Sequence, residues 1–269
     1  MNHANPEWAG IPTVILCGGN GVAFGTEPRT NKALIRVNGR PLVWWVMLHY
    51  AQHGASRFLL AAGLQAERFG ALLMAEGATP LAGQGDDGST VYQVKLAGRS
   101  CEVRVVVTPE RATTTARLLA CAPWLADAEH FCLSYSDTLS DVNLGEVLRH
   151  HRRRGLLMTL VAARHPVRFR ILGIRQGEDL VRALAPRPVI EGASINGGYY
   201  VCRGALLRDG NWLSDDMPLE QGTLEALAAA QQLTSYPHNG AWQPCDAERD
   251  LGELERIARG IAQAANQAA

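Results

Sequence analysis

Short apolar runs alternate along the chain with segments of helical periodicity. TVILC, beginning at Thr13, reads as a buried strand, and PLVWWVMLHYAQHG as a helix with Pro41 in its first turn and Gly54 beyond its end. RFLLAAG predicts a second strand, followed by a helix through AERFGALLMAEG. CEVRVVVT, HFCLSYSD and LLMTLVAA predict further strands, separated by the helical stretches TTARLLACAPWL and NLGEVLRHHRRRG. Strands spaced by helices imply parallel βαβ units, and hence an open α/β sheet.

Two stretches break the rhythm. TPLAGQGDDGSTVYQVKLAGRS, from Thr79 to Ser100, predicts a loop and a short hairpin. After Ala163 the pattern turns to short strands in RILGIRQG, LVRALAP and SINGGYYVC, then a helix in LEQGTLEALAAAQQL, the strand TSYPH and a terminal helix. The expected architecture is a Rossmann-like, mixed but mostly parallel sheet flanked by helices, with a small β-rich lobe. At 269 residues one domain is expected, with a core over about 11–165, the lobe over about 166–245 and the helix over 246–269.

Composition narrows the function classes. Hydrophobic residues make up 47% and charged ones 19%, ordinary for a chain that buries a sizeable core. The formal net charge is zero, which argues against an electrostatically driven nucleic-acid or membrane partner. Six scattered cysteines without a CxxC pair read as reduced thiols rather than disulfides or a zinc site. With no visible signal peptide or membrane-length apolar run, the expected location is cytoplasmic.

Candidate chemistry clusters where strands end. The loop after TVILC carries Gly18, Gly19 and Gly21, which let backbone N–H groups approach a phosphate, and Lys32 adds a cation on the same edge. Asp137 ends HFCLSYSD and is either a magnesium ligand or, like Asp141, a cap for the next helix; Asp246 is equally a ligand or a cap for the last helix. HHRRRG, from His150 to Gly155, reads as cations complementing the end of a helix.

Taken together, LCGGNGVAF…NKAL…NGRPL, FLLAAGLQAERF, TTARL, YSDTLSD, RALAPRP…INGGYYV and NGAWQPCDAERD resemble the sugar-1-phosphate nucleotidyltransferases, and among them the glucose-1-phosphate cytidylyltransferase branch. The resemblance runs from about Thr13 to about Leu254. It implies a nucleotidyl transfer, CTP being the first choice and GTP, UTP or dTTP the alternatives, onto a sugar 1-phosphate or a related sugar or cyclitol phosphate. A protein that binds these molecules without turnover is the competing expectation, and a homo-oligomer is compatible with either.

The resemblance also implies residue roles. Leu16, Gly18, Gly19, Gly21, Lys32 and Thr114 would hold the nucleotide, with Lys32 offsetting charge on the α-phosphate. Asp137 and Asp246 would hold Mg²⁺ and, with Lys32, form the catalytic set. Arg168, Arg187, Asn196 and Gly197 would contact the sugar phosphate. The chain departs from the family where an arginine follows the glycine loop: Val22-Ala23 stand there, and Arg29 is the nearest substitute. The family's Pro-Lys-Pro has become Asn31-Lys32-Ala33, and its Glu-Lys-Pro has become Pro186-Arg187-Pro188.

Overall fold

A computed structural model describes residues 6–19, 22–24, 27–81, 89–164, 171–175, 177, 179–185, 193–209 and 212–268. Nine strands form the main sheet: β1 (Thr13–Cys17), β2 (Arg57–Ala62), β3 (Thr79–Pro80), β4 (Thr90–Leu96), β5 (Arg99–Val107), β6 (His130–Tyr135), β7 (Met158–Ala163), β8 (Ile195–Arg203) and β9 (Leu233–His238). Their spatial order is β9-β7-β8-β6-β1-β2-β5-β4-β3. The centre is parallel, β1 pairing with both β2 and β6, and only β4 and β8 run against the common direction. The expected Rossmann-like, mostly parallel sheet is therefore present.

The central strands are apolar on both sides because both faces are covered. In β1, Val14 and Leu16 join the core under α3 (Thr114–Ala120), α5 (Ala205–Arg208) and α6 (Thr223–Ala229). Ile15 and Cys17 face the opposite core, built with α1 (Leu42–His53), α2 (Arg68–Ala75), α4 (Leu144–Arg154) and α7 (Leu251–Ala268). The terminal helix docks through Leu254, Ile257, Ala258, Ile261 and Ala265, a stripe at helical spacing that its charged residues leave clear.

Local signals set the ends. Pro41 stands just ahead of α1, and Gly54, at φ 123°, closes it. Asn143 caps α4 by accepting from Glu146 N at 3.1 Å, so neither Asp137 nor Asp141 serves as that cap. Gly155, at φ 66°, ends α4 in the left-handed conformation that glycine adopts freely. The strand SINGGYYVC, expected beyond the core, is β8, which runs antiparallel between β6 and β7 inside the main sheet. A separate ribbon pairs Ile171–Gly173 with Ala183–Ala185. All six cysteines are buried and free. No helix among the described residues is long and apolar enough to cross a membrane.

Candidate functional site

The parallel strands β1 and β6 end side by side, and the chain leaving each of them lines one cleft of about 340 Å³. Gly18 and Gly19 follow β1, while Ser136 and Asp137 follow β6, with Ser136 Oγ donating to Leu16 O at 2.8 Å to tie the two exits together. This carboxyl edge of a parallel sheet is where α/β folds bind ligands. Leu16, Lys32 and Thr114 complete the part of the lining expected from sequence.

Lys32 opens a 3-10 turn over Lys32–Leu34, and Asn31 fixes that turn from three directions. Its Oδ1 accepts from Ala33 N at 3.0 Å, and its Nδ2 donates to Cys17 O and Leu64 O, each at 2.7 Å. A side chain that binds the ends of β1 and β2 thus replaces the proline the family carries there. Lys32 Nζ then donates to Asp137 Oδ2 at 3.0 Å and to Asp246 Oδ1 at 2.8 Å.

The two carboxylates meet because Thr138–Ser140 pairs antiparallel with Trp242–Pro244, Thr138 facing Pro244. Cys245 N donates to Asp137 O at 2.8 Å and extends that pairing to the residues that matter. The turn bearing Asp246 is held by Asp250, whose Oδ2 accepts from Asp246 N at 2.9 Å and Ala247 N at 2.8 Å. Asp250 therefore does the work of a cap, and Asp246 points to Lys32. Burial disfavours the Lys32 ammonium, but the charges and hydrogen bonds of the two carboxylates outweigh it and raise its pKa.

Two contributors escaped the sequence reading. Arg117, only 2% exposed in α3, lays its guanidinium against Gly18 and Gly63, where neither glycine has room for a β-carbon. It donates to Thr108 Oγ1 and, at 2.8 Å, to Glu110 O. Burial lowers its pKa, with the neighbouring Cys17 thiol acting the other way. A fixed cation thus underlies the glycine turn, although the loop arginine of the family is absent. Arg29 instead pairs with the Glu110 carboxylate.

Glu220 is the second. It lines the cleft from the turn before α6, and its Oε2 accepts from Thr114 Oγ1 at 3.3 Å. Thr114 Oγ1 also accepts from Leu219 N at 2.7 Å. Thr114 is a bracket between α3 and that turn as well as a cleft residue. The Arg of TTARL was visible in sequence as part of the family motif; no local signal marks Glu220.

Asn196 and Gly197 stand at the start of β8, on the same sheet edge, because β8 runs backwards. Asn196 Nδ2 donates to Tyr200 OH at 2.6 Å, and Tyr200 OH donates onward to the OH of Tyr135, a cleft residue, at 3.3 Å. Trp242 Nε1 donates to Gly197 O at 2.8 Å, and a β-carbon on Gly197 would lie 2.8 Å from Val161 O. Asn196 thus supports Tyr135 of the cleft through Tyr200, and Gly197 anchors Trp242. Gly21, Arg168 and Arg187 lie outside the described residues.

No family model matches the chain. It is 29% identical over 252 residues to the glucose-1-phosphate cytidylyltransferase of Salmonella typhimurium, covering 92% of this chain and 95% of that protein. The glucose-1-phosphate cytidylyltransferase of Salmonella typhi is 28% identical over the same shares. Among solved structures, HddC from Yersinia pseudotuberculosis complexed with GMP-PN superimposes with a TM-score of 0.65 at 14% identity, over 91% of this chain and 98% of HddC. That likeness speaks for the fold. The chain's fold and its sequence relatives alike are those of nucleotidyltransferases. Over nearly its whole length the chain is similar to sugar-1-phosphate nucleotidyltransferases.

Proposed function

We propose that the chain joins a nucleoside triphosphate, CTP by preference, to a sugar 1-phosphate or a related sugar or cyclitol phosphate, with Mg²⁺ as cofactor. One observation carries the reading: an ammonium held by two carboxylates at the mouth of a cleft whose floor is a glycine turn backed by a buried guanidinium. The relatives named above are cytidylyltransferases, which favours CTP over the other triphosphates.

Among the described residues, no three His, Cys, Asp or Glu side chains could hold a metal unaided. Two converging carboxylates fit Mg²⁺ nonetheless, since that ion is commonly held by one or two carboxylates plus substrate phosphates. Asp137 and Asp246 are the residues that would hold it. When bound, it would neutralise charge developing on the transferring phosphate. Lys32, released from its carboxylates by a dication, would supply a preorganised cation to the α-phosphate. The acceptor's phosphate oxygen forms the new P–O bond at the α-phosphorus while the bond to the β-phosphate breaks, and pyrophosphate leaves with the electron pair. No side chain needs to become covalently attached; the protein positions and neutralises. Buried free thiols suit a reducing compartment, and we place the chain in the cytoplasm.

The test is pyrophosphate release from CTP, GTP, UTP and dTTP against a panel of sugar and cyclitol 1-phosphates. Turnover is expected to need Mg²⁺ and to be highest with CTP. Nucleotide binding with no pyrophosphate from any pair would make the chain a binding protein instead.

A further inference from the structure

A second cavity, of about 410 Å³, opens at the other end of the same strands. Its residues come from the amino edge of the sheet: His130 begins β6 and Arg203 ends β8, and the two are cross-strand partners. His151 and Arg152 project from the last turn of α4, and Gly155 closes the rim. Six residues of β6 separate His130 from the catalytic edge, so the two cavities are about 20 Å apart. The volume falls within the range of small-molecule sites.

Two ring nitrogens among the residues lining this cavity have no hydrogen-bond partner among the described residues. His151 is 1% exposed; its Nδ1 meets Thr159 Oγ1 at 2.9 Å, while its Nε2 has no hydrogen-bond partner among the described residues. His130 packs edge-on against it, ring centres 5.2 Å apart, and its buried Nδ1 is likewise unsatisfied. A buried polar atom without a partner costs the full desolvation of that group, so two in one cavity ask for an occupant.

Charge gives the occupant its sign. Arg152 and Arg203 are exposed at the rim, Arg152 donating to Glu7 O at 2.8 Å and Arg203 to Gly155 O at 3.2 Å. Among the described residues lining the cavity the one carboxylate is Glu129, largely exposed and 3.5 Å from His130 Nε2. His150, one residue back on α4, adds a further imidazole whose influence reaches His151.

We propose that this cavity binds a phosphate-type oxyanion, with Arg152 and Arg203 gripping it and the imidazoles of His130 and His151 donating to it. Guanidinium groups suit phosphate because their paired N–H donors match its geometry. The cations of HHRRRG thus have a second use beyond complementing the helix end. Free His151 has its pKa lowered to about 3 by burial, then by His130 and the two arginines. Burial foremost lowers His130 as well, Arg152 and Arg203 adding to it and Glu129 opposing. A bound anion acts against that effect of burial and favours the donor form of both imidazoles.

The experiment is calorimetric titration of the intact chain with inorganic phosphate, pyrophosphate and ribose 5-phosphate at constant ionic strength, with chloride as control. Because the catalytic cleft also suits phosphates, each titration is repeated in Lys32→Met. The expected result is a binding event that survives Lys32→Met and weakens at least tenfold in Arg152→Ser and in Arg203→Ser. Both arginines are exposed, so these variants should fold; an unchanged melting temperature confirms it. The strongest ligand tells whether the source is a free anion or a phosphomonoester. Absence of binding at millimolar phosphate, equal affinity for chloride, or full affinity in both arginine variants overturns the proposal.

Discussion

The guanidinium of Arg117 occupies the space that a β-carbon on Gly18 would need. A glycine near a phosphate is usually explained by backbone access, but here the crowding comes from beneath. Gly18→Ala should force Arg117 from Thr108 and Glu110 and lower stability by about 2–4 kcal/mol, the range for breaking a buried charged hydrogen-bond set. In an Arg117→Ala background the same change should cost less by at least about 1 kcal/mol. Strictly additive losses, read from denaturant melts of the four proteins, would separate the two residues.

Lys32 and the two aspartates make a closed set of charges, so removing the ammonium has two consequences. Turnover in Lys32→Met should fall roughly a hundredfold or more, as for loss of a preorganised electrostatic group. The two carboxylates are then left facing each other with nothing between them, and Mg²⁺ should raise the melting temperature of the variant more than that of the native chain. Equal shifts in both proteins would mean that the ion binds elsewhere.

The same ammonium sets an alkaline limit. A lysine whose pKa is raised in the folded state contributes stability that is complete below its unfolded pKa of about 10.4, and this is lost as pH rises through the folded value. Melting curves from pH 8 to 12 should therefore fall more steeply at the top for the native chain than for Lys32→Met. Parallel curves would refute a raised pKa.

On the acid side the sign reverses. Burial above all holds the His49 pKa down to about 3 and that of His53 to about 4, against about 6.5 in the unfolded chain. Between those values the unfolded state binds more protons, so stability falls as pH falls below 6.5. For His49 the loss at pH 5 is about 2 kcal/mol. His49→Leu should flatten the melting temperature between pH 7 and 5; an unchanged slope would assign acid lability to other groups.

What the sequence disclosed followed from how local its causes are. Helix ends were legible where glycine interrupts the apolar periodicity, as at Gly54 and Gly155, whereas the cap of α4 is Asn143 and not the aspartates expected there. Lys32, Asp137 and Asp246 were legible through family motifs, although the convergence of residues over 200 positions apart depends on the Thr138–Trp242 ribbon. Arg117 was not singled out because an arginine in TTARL has the same local pattern whether it points to water or under a loop. The insertion of β8 between β6 and β7 is a long-range pairing that a short apolar run cannot announce.

Glu220 leads to the last prediction, which rests on CTP being the preferred nucleotide. An ionised carboxylate only accepts hydrogen bonds. In the cleft it suits a base that offers an exocyclic amine, as cytosine does, and repels the carbonyl that uracil presents at the same place. A site that discriminates by one charge-assisted hydrogen bond gains roughly 10- to 100-fold. Glu220→Gln can both donate and accept, so it should narrow the CTP-to-UTP ratio of kcat/KM by about that factor, chiefly by losing CTP. The Thr114 contact survives in this variant, since an amide oxygen accepts as a carboxylate does. The melting temperature should therefore stay near native. A preserved ratio would leave Glu220 as a strut for Thr114, and the choice of base would fall to another wall of the cleft.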